Sequence, residues 1–192
     1  MADTDRLSEE EGKRLLSVAR QTLENALFEK RGEASEESPL SPKFSEKRGT
    51  FVTLTINGAL RGCIGHITPQ ESLIEGVKAN AINAAFRDPR FKPLSMDEFN
   101  QVRIEVSILT EPVPMTYSGA DDLQQKLRPG ADGVIIKKAY QQATFLPQVW
   151  EHLPEKKTFL TQLCLKAGLA GDAWERERLQ VFTYQVQAFE EE

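Results

Sequence analysis

Histidine and cysteine are scarce in this chain: 192 residues hold two of each, His66, His152, Cys63 and Cys164. Two cysteines make no disulfide framework, and the usage is that of a reduced, cytoplasmic protein. Zinc takes three or four ligands. Cys63 and His66 offer two, and His152, flanked by Trp150 and Pro154, belongs to no ligand-spaced cluster. Neither a metal nor a cofactor is therefore expected. No apolar run approaches the roughly 20 residues of a spanning helix. The first residues, Met1-Ala2-Asp3-Thr4-Asp5, are polar and acidic, unlike a signal peptide. No Walker loop, dinucleotide fingerprint or Ser-His-Asp signature is present. Positive charge is not in excess either: 24 basic residues against 29 acidic give a net charge of -5. That excludes a broad nucleic-acid-binding surface and leaves room for a local basic pocket.

What is present is 40% hydrophobic residues, enough for one good core or for one domain with a smaller subdomain. The stretch that stands out is Leu60-Arg61-Gly62-Cys63-Ile64-Gly65. It follows Asn57-Gly58, a strong hairpin signal, and a β-rich segment, Phe51 to Ile56, with Val52, Leu54 and Ile56 on one face. The spacing predicts a hairpin from Phe51 to Gly65, with the stretch as its return strand. Side chains on a strand alternate. Leu60, Gly62 and Ile64 then face the core, and Arg61 and Cys63 face the other way beside Gly65. Glycines inside a strand mark a bulge or a close approach of ligand or backbone.

Elsewhere, Ser8 and Glu11 form a capping box before a helix with Leu16, Ala19, Leu23, Ala26 and Leu27 on its stripe, ending near Gly32. The Ser-, Glu- and Pro-rich run from Glu33 to Lys47 reads as a loop. Thr68-Pro69-Gln70-Glu71 predicts a second helix start, running to about Phe86 until Asp88-Pro89 breaks it. Ser95 and Glu98 open a short turn. Val102, Ile104, Val106 and Ile108 alternate as a half-buried strand, which Pro112 and Pro114 end. Asp121 to Leu127 is a short helix, Val134–Ile136 and Ala143–Leu146 a second hairpin, and Lys156 to Ala167 a helix capped by Gly168. Leu179 to Phe189 reads as one strand buried on both sides. Hairpins mixed irregularly with helices predict an α+β fold, a mostly antiparallel sheet flanked by helices.

LRGCIG at Leu60–Gly65 is the hallmark of the AMMECR family, whose prokaryotic members are called AmmeMemoRadiSam system protein A. Asn83 to Phe91, Ile104 to Thr110, Thr144 to Trp150 and Lys166 to Leu169 resemble its further blocks. The resemblance covers Leu7 to Glu190, a single AMMECR domain after a polar tail, residues 1–6. It implies a larger and a smaller subdomain with a cleft between them, a division that the pattern alone does not give. It also implies association with a Memo-like protein and a radical-SAM protein.

Several residues are candidates for chemistry. Cys63 is a nucleophile if a cation favours its thiolate, and Arg61 sits two residues away, about 6.6 Å along a strand. The plainer alternative is a small packing residue. His66 lies about 10 Å from Cys63 on the opposite face, so a Cys–His dyad requires a bend at Gly65; otherwise His66 is a loop residue, and the family more often has a small hydroxyl there. Arg87, Asp88 and Arg90, at a helix end, together with Arg61 would hold a carboxylate or phosphate, or Asp88 simply pairs one arginine. The helix start at Thr68 would add anion-binding N–H groups. Glu105 is a general acid or base, or a paired surface charge. Cys164, on an apolar helix stripe, reads as core.

Two readings follow. In one, the chain is part of an enzyme system, and Arg61, Gly62, Cys63, Gly65, His66, Arg87, Asp88 and Arg90 surround a small anionic substrate. In the other, the same patch docks a protein partner without catalysis. The chain lacks the three-cysteine motif of a radical-SAM cluster and cannot supply that chemistry alone. Arg61, Cys63 and at least one of Arg87 and Arg90 are expected to line one concave site. Full commitment of Arg61 to a structural carboxylate would favour the docking reading.

Overall fold

A computed structural model describes residues 6–28, 41–69 and 71–192. Its elements are α1 (Glu9–Leu27), β1 (Thr50–Ile56), β2 (Ala59–His66), α2 (Leu73–Phe86), α3 (Met96–Phe99), β3 (Val102–Leu109), β4 (Val113–Met115), α4 (Ala120–Lys126), β5 (Gly133–Lys138), β6 (Gln141–Phe145), α5 (Val149–His152), α6 (Lys156–Lys166), α7 (Ala173–Arg176), β7 (Gln180–Tyr184) and β8 (Val186–Glu190). They form two compact units, one running to Leu109 and completed by Gln187–Glu192, the other Thr110–Val186. The fold is α+β.

In the first unit β1 and β2 form the expected hairpin. Asn57 and Gly58 turn it with φ of 52° and 77°, the positive pair that a type I′ turn requires. β3 pairs antiparallel with the far side of β1, and the sheet order is β2-β1-β3-β8. Val52, Leu54, Ile104, Val106 and Ile108 share one face and are buried in a core with α1 and α2. α1 carries the Ser8–Glu11 capping box, with Leu16, Ala19 and Leu23 buried, but it ends at Leu27. Of the expected loop, residues 33–40 lie outside the described residues, and Pro42–Ser45 form one 3-10 turn.

α2 starts at Leu73, after Ser72, rather than at Thr68. The Leu73 N–H donates to Glu46 O, so it is not the interior of an earlier helix. The proposed anion site on a Thr68 helix end is accordingly not formed; Gln70 itself lies outside the described residues. Leu73, Val77, Ala81 and Ala84 are buried as the spacing indicated. The Ser95–Glu98 capping box opens α3.

The second unit has its own sheet, β4-β7-β5-β6, and its own core. Phe159 of α6 stacks on Trp150 with ring centroids 3.6 Å apart. β5 and β6 are the second hairpin. The strand before Pro112 ends at Leu109 as expected, and Pro114 then lies inside β4, an edge strand, where its missing N–H costs no ladder bond. One expectation is corrected here. The run from Leu179 to Phe189 is two strands, broken at Gln185: β7 pairs with β5 and β4, and β8 joins the other sheet. Two short strands that change sheets leave the same continuous apolar signature as one buried strand. Among the described residues, no helix is long and apolar enough to cross a membrane.

Candidate functional site

β2 is the edge strand of its sheet, and its register shows what LRGCIG does locally. Leu54 pairs with Gly62, but Thr55 pairs with Leu60, so Arg61 is the extra residue of a β-bulge. A bulge re-aims the side chain it carries. Gly62 is buried against α2, and a Cβ there would overlap the Ala84 carbonyl oxygen. Glycine is what lets strand and helix backbones touch. A Cβ on Gly65 would overlap the Phe51 ring and the Thr50 carbonyl. Both glycines are thus close-approach positions.

Re-aimed by the bulge, Arg61 forms a bidentate pair with Glu98, Nε to Oε1 at 2.8 Å and Nη2 to Oε2 at 3.0 Å, and Nη2 also donates to Lys92 O. Glu98 does two jobs: it accepts from the Ser95 N–H in the capping box and from Arg61. Arg61 first, then Ser95, hold its carboxyl down at about 2.

Asp88 is the second anchor, its side chain 1% exposed. It accepts four hydrogen bonds: from Cys63 N at 2.9 Å, Arg90 N at 3.1 Å, Arg90 Nε at 2.9 Å and Arg90 Nη2 at 2.6 Å. Arg90 Nη2 in turn donates to Cys63 O at 3.2 Å. The outward N–H and C=O of Cys63, which an edge strand would leave open, are therefore both taken by this pair. Arg90 first, then the two main-chain N–H groups, hold Asp88 well below the usual carboxylate range against the cost of burial. The guanidinium carbons of Arg61 and Arg90 both lie over Phe91, 5.8 and 5.5 Å from its centroid. Two like charges converge on one ring because each carries its own carboxylate.

Cys63 is half-buried, and its Sγ accepts a hydrogen bond from Thr53 Oγ1 at 3.4 Å. Thr53 also pairs across β1 with Glu105, whose Oε1 accepts from Ser107 Oγ.

The AMMECR1 family model matches residues 16–189. The chain belongs to the AMMECR1 family. A family relative in Methanosarcina barkeri is 43% identical over 96% of this chain and 92% of its own length. Another, in Methanothermobacter thermautotrophicus, is 38% identical over 97% of each. Among solved structures, the crystal structure of uncharacterized protein PH0010 from Pyrococcus horikoshii matches with a TM-score of 0.86 and 35% identity, over 97% of this chain and 94% of that one.

In this AMMECR1 chain Arg61 and Arg90 lie over Phe91, Asp88 and Arg90 bond the main chain of Cys63, and Gly62 and Gly65 are packing contacts. Arg87 is placed elsewhere: exposed, it donates to Asn83 Oδ1 one turn back on α2. His66 shares the face of Gly62 and Ile64, not that of Cys63. Its Nε2 is 3.5 Å from Glu71 Oε1, an ion-pair distance too long for a hydrogen bond, and the nitrogen is buried without a hydrogen-bond partner among the described residues. Leu60, expected in the core, is 44% exposed, because the bulge sets it opposite Thr55, off the Val52–Leu54 face, near the turn of the hairpin. Cys164 is fully buried, and burial pushes its thiol up. Sequence reasoning missed Glu98 as the partner of Arg61. Its signal was present, since a capping-box glutamate is held in place with one oxygen to spare, but the partner comes from a distant strand.

Proposed function

We propose that this AMMECR1-family chain is a docking or specificity subunit of a cytoplasmic enzyme system, presenting the β2 edge and its two ion pairs to a protein partner. The observation that carries this reading is the commitment of both guanidinium groups. Arg61 is bidentate to Glu98 and Arg90 is bidentate to Asp88. An anionic substrate would have to displace a carboxylate already held by paired, charge-assisted bonds. A rigid, self-neutralised edge beside the exposed Leu60 suits recognition of a surface better than capture of a free ion. The partners that the sequence resemblance implies are a Memo-like protein and a radical-SAM protein.

One observation favours the second reading, a Cys/Arg site for a small anion. Arg61 Nη1 is buried and has no hydrogen-bond partner among the described residues. A small anion reaching Nη1 would sit on the strand that carries Cys63, whose Sγ already accepts from Thr53.

The experiment is turnover by the reconstituted three-protein system, with association measured in parallel by sedimentation. On the docking reading, Cys63→Ser retains turnover while Leu60→Asp weakens association and turnover together. Loss of turnover in Cys63→Ser with association intact would replace this reading with the catalytic one.

A further inference from the structure

The two edges of the first unit's sheet are treated differently. At β2, Asp88 and Arg90 occupy the outward main-chain groups of Cys63. β8, at the other end of the order β2-β1-β3-β8, reads Val186-Gln187-Ala188-Phe189-Glu190 and holds neither proline nor lysine, the usual devices that blunt an edge. Its alternation is clean. Gln187 reaches the Leu7 main chain, Phe189 packs on Gly12, and Glu191 is tied to Arg20 and to the Ile104 N–H. The side chains of Ala188, Glu190 and Glu192 are exposed. The Glu191 N–H donates to Ile104 O on β3. Successive N–H groups along a strand point to opposite sides, so those of Glu190 and Ala188 point away from β3, to the side where no strand among the described residues pairs with β8.

Beside that edge lies a groove of about 540 Å³ between β8 and one stripe of α1. Leu16, Ala188 and Phe189 give it an apolar floor. Glu9, Glu190 and Glu192 are exposed on its rim against one cation, Lys13, while Glu191 is already neutralised by Arg20.

We infer that the β8 edge docks an extended, basic segment of a partner protein as an added strand. The main-chain groups of Ala188 and Glu190 supply the ladder, the apolar floor takes alternate side chains, and the glutamate rim selects lysine or arginine at the positions between. This is strand addition, in which main-chain bonds give affinity and alternate pockets give specificity. The surface is separate from the LRGCIG edge, so it stands whether or not that edge is a docking site.

The test uses the full chain and a fluorescent, end-capped Lys-Val-Lys-Val-Lys-Val-Lys peptide, with Glu-Val-Glu-Val-Glu-Val-Glu as its counterpart, read by anisotropy. The basic peptide is expected to bind and the acidic one to bind at least tenfold more weakly. Combined Glu9→Lys, Glu190→Lys and Glu192→Lys should weaken binding tenfold or more. Ala188→Pro, which removes an outward N–H without touching the ladder to β3, should do the same with an unchanged melting temperature. In the unsubstituted chain, the amides of Ala188 and Glu190 should exchange more slowly once peptide is added, a readout independent of whether Ala188→Pro folds. Absence of binding, equal binding of the two peptides, or binding with no slowing of those two amides would overturn the proposal.

Discussion

Replacing Asp88 by asparagine tests the idea that the LRGCIG strand is held by a buried carboxylate. Asp88 receives four N–H groups on two oxygens. Asparagine keeps one carbonyl oxygen and turns the other into a donor, so two of those four N–H groups come to face an NH2. Either Cys63 N and Arg90 Nη2 lose their acceptor, or Arg90 N and Nε do. Hydrogen bonds to a charged group contribute about 1.5–3 kcal/mol each. Arg90 is 53% exposed, so water recovers much of what its guanidinium loses, and only a small ion-pair contribution is counted for it. The expected cost is about 3 kcal/mol, or a fall in melting temperature of about 6–12 °C for a chain of this size. The sign with pH follows from the depressed carboxyl. Its contribution is complete above the unfolded carboxylate range near 4 and is lost as pH falls through the lower folded value. The gap between the unsubstituted chain and Asp88→Asn should therefore be widest at neutral pH and narrow below about 4. Thermal melts across that range and amide exchange at Cys63 are the assays. If Asp88→Asn melts within about 1 °C of the unsubstituted chain and Cys63 exchange is unchanged, the clamp is not what holds this edge.

Arg61→Gln should destabilise at neutral pH, and the difference should shrink as pH falls from the usual glutamate range towards about 2, where Glu98 takes up its proton in the folded chain; urea titrations at pH 7 and pH 3 measure this. Gly62→Ala should cost about 1–3 kcal/mol, since the new methyl meets helix backbone rather than a side chain that can swing away, and a melt that does not move would refute the close approach. Cys164→Ala should cost about 1 kcal/mol, and a thiol reagent should label Cys63 before Cys164 in the folded chain, read by mass spectrometry of the digest.

Local signals were legible where one short segment settles the geometry. Asn57-Gly58 is enough to turn a hairpin, and Ser95 with Glu98 is enough to open α3, because the groups that satisfy each other lie within a few residues. The motif at Thr68-Pro69 obeyed the same rules and failed, because the Leu73 N–H found Glu46 O, a contact no local rule contains. The bulge at Arg61 was hidden for a similar reason: strand alternation gives its side, but the pairing of Leu54 and Thr55 decides that it is the extra residue. Arg61 and Arg90 meet over Phe91, and Arg90 reaches the Cys63 carbonyl. Their counter-charges, Glu98 and Asp88, make that meeting a neutral clamp rather than a cationic pocket: the Asp88–Arg90 pair is local and was weighed from sequence, whereas the Arg61–Glu98 pair, 37 residues apart, was not visible there. Arg87 looked equivalent to Arg90 in sequence, yet it lies at the C-cap of α2 and turns back to Asn83.

The break at Gln185 governs the order in which the protein can be finished. β8 belongs to the same sheet as the LRGCIG hairpin but is encoded after the whole of the second unit. On the ribosome, β1, β2 and β3 emerge first, and β3 then waits with its Ile104 N–H unpaired until Glu191, 87 residues further on, has been made. The second unit is meanwhile a self-contained excursion, its two ends joined by Thr110 N to Gln185 O and by Gln185 N to Thr110 Oγ1. A nascent chain therefore carries an open β3 edge until the second unit has been made, and β8 with Glu191 acts as the latch that closes it.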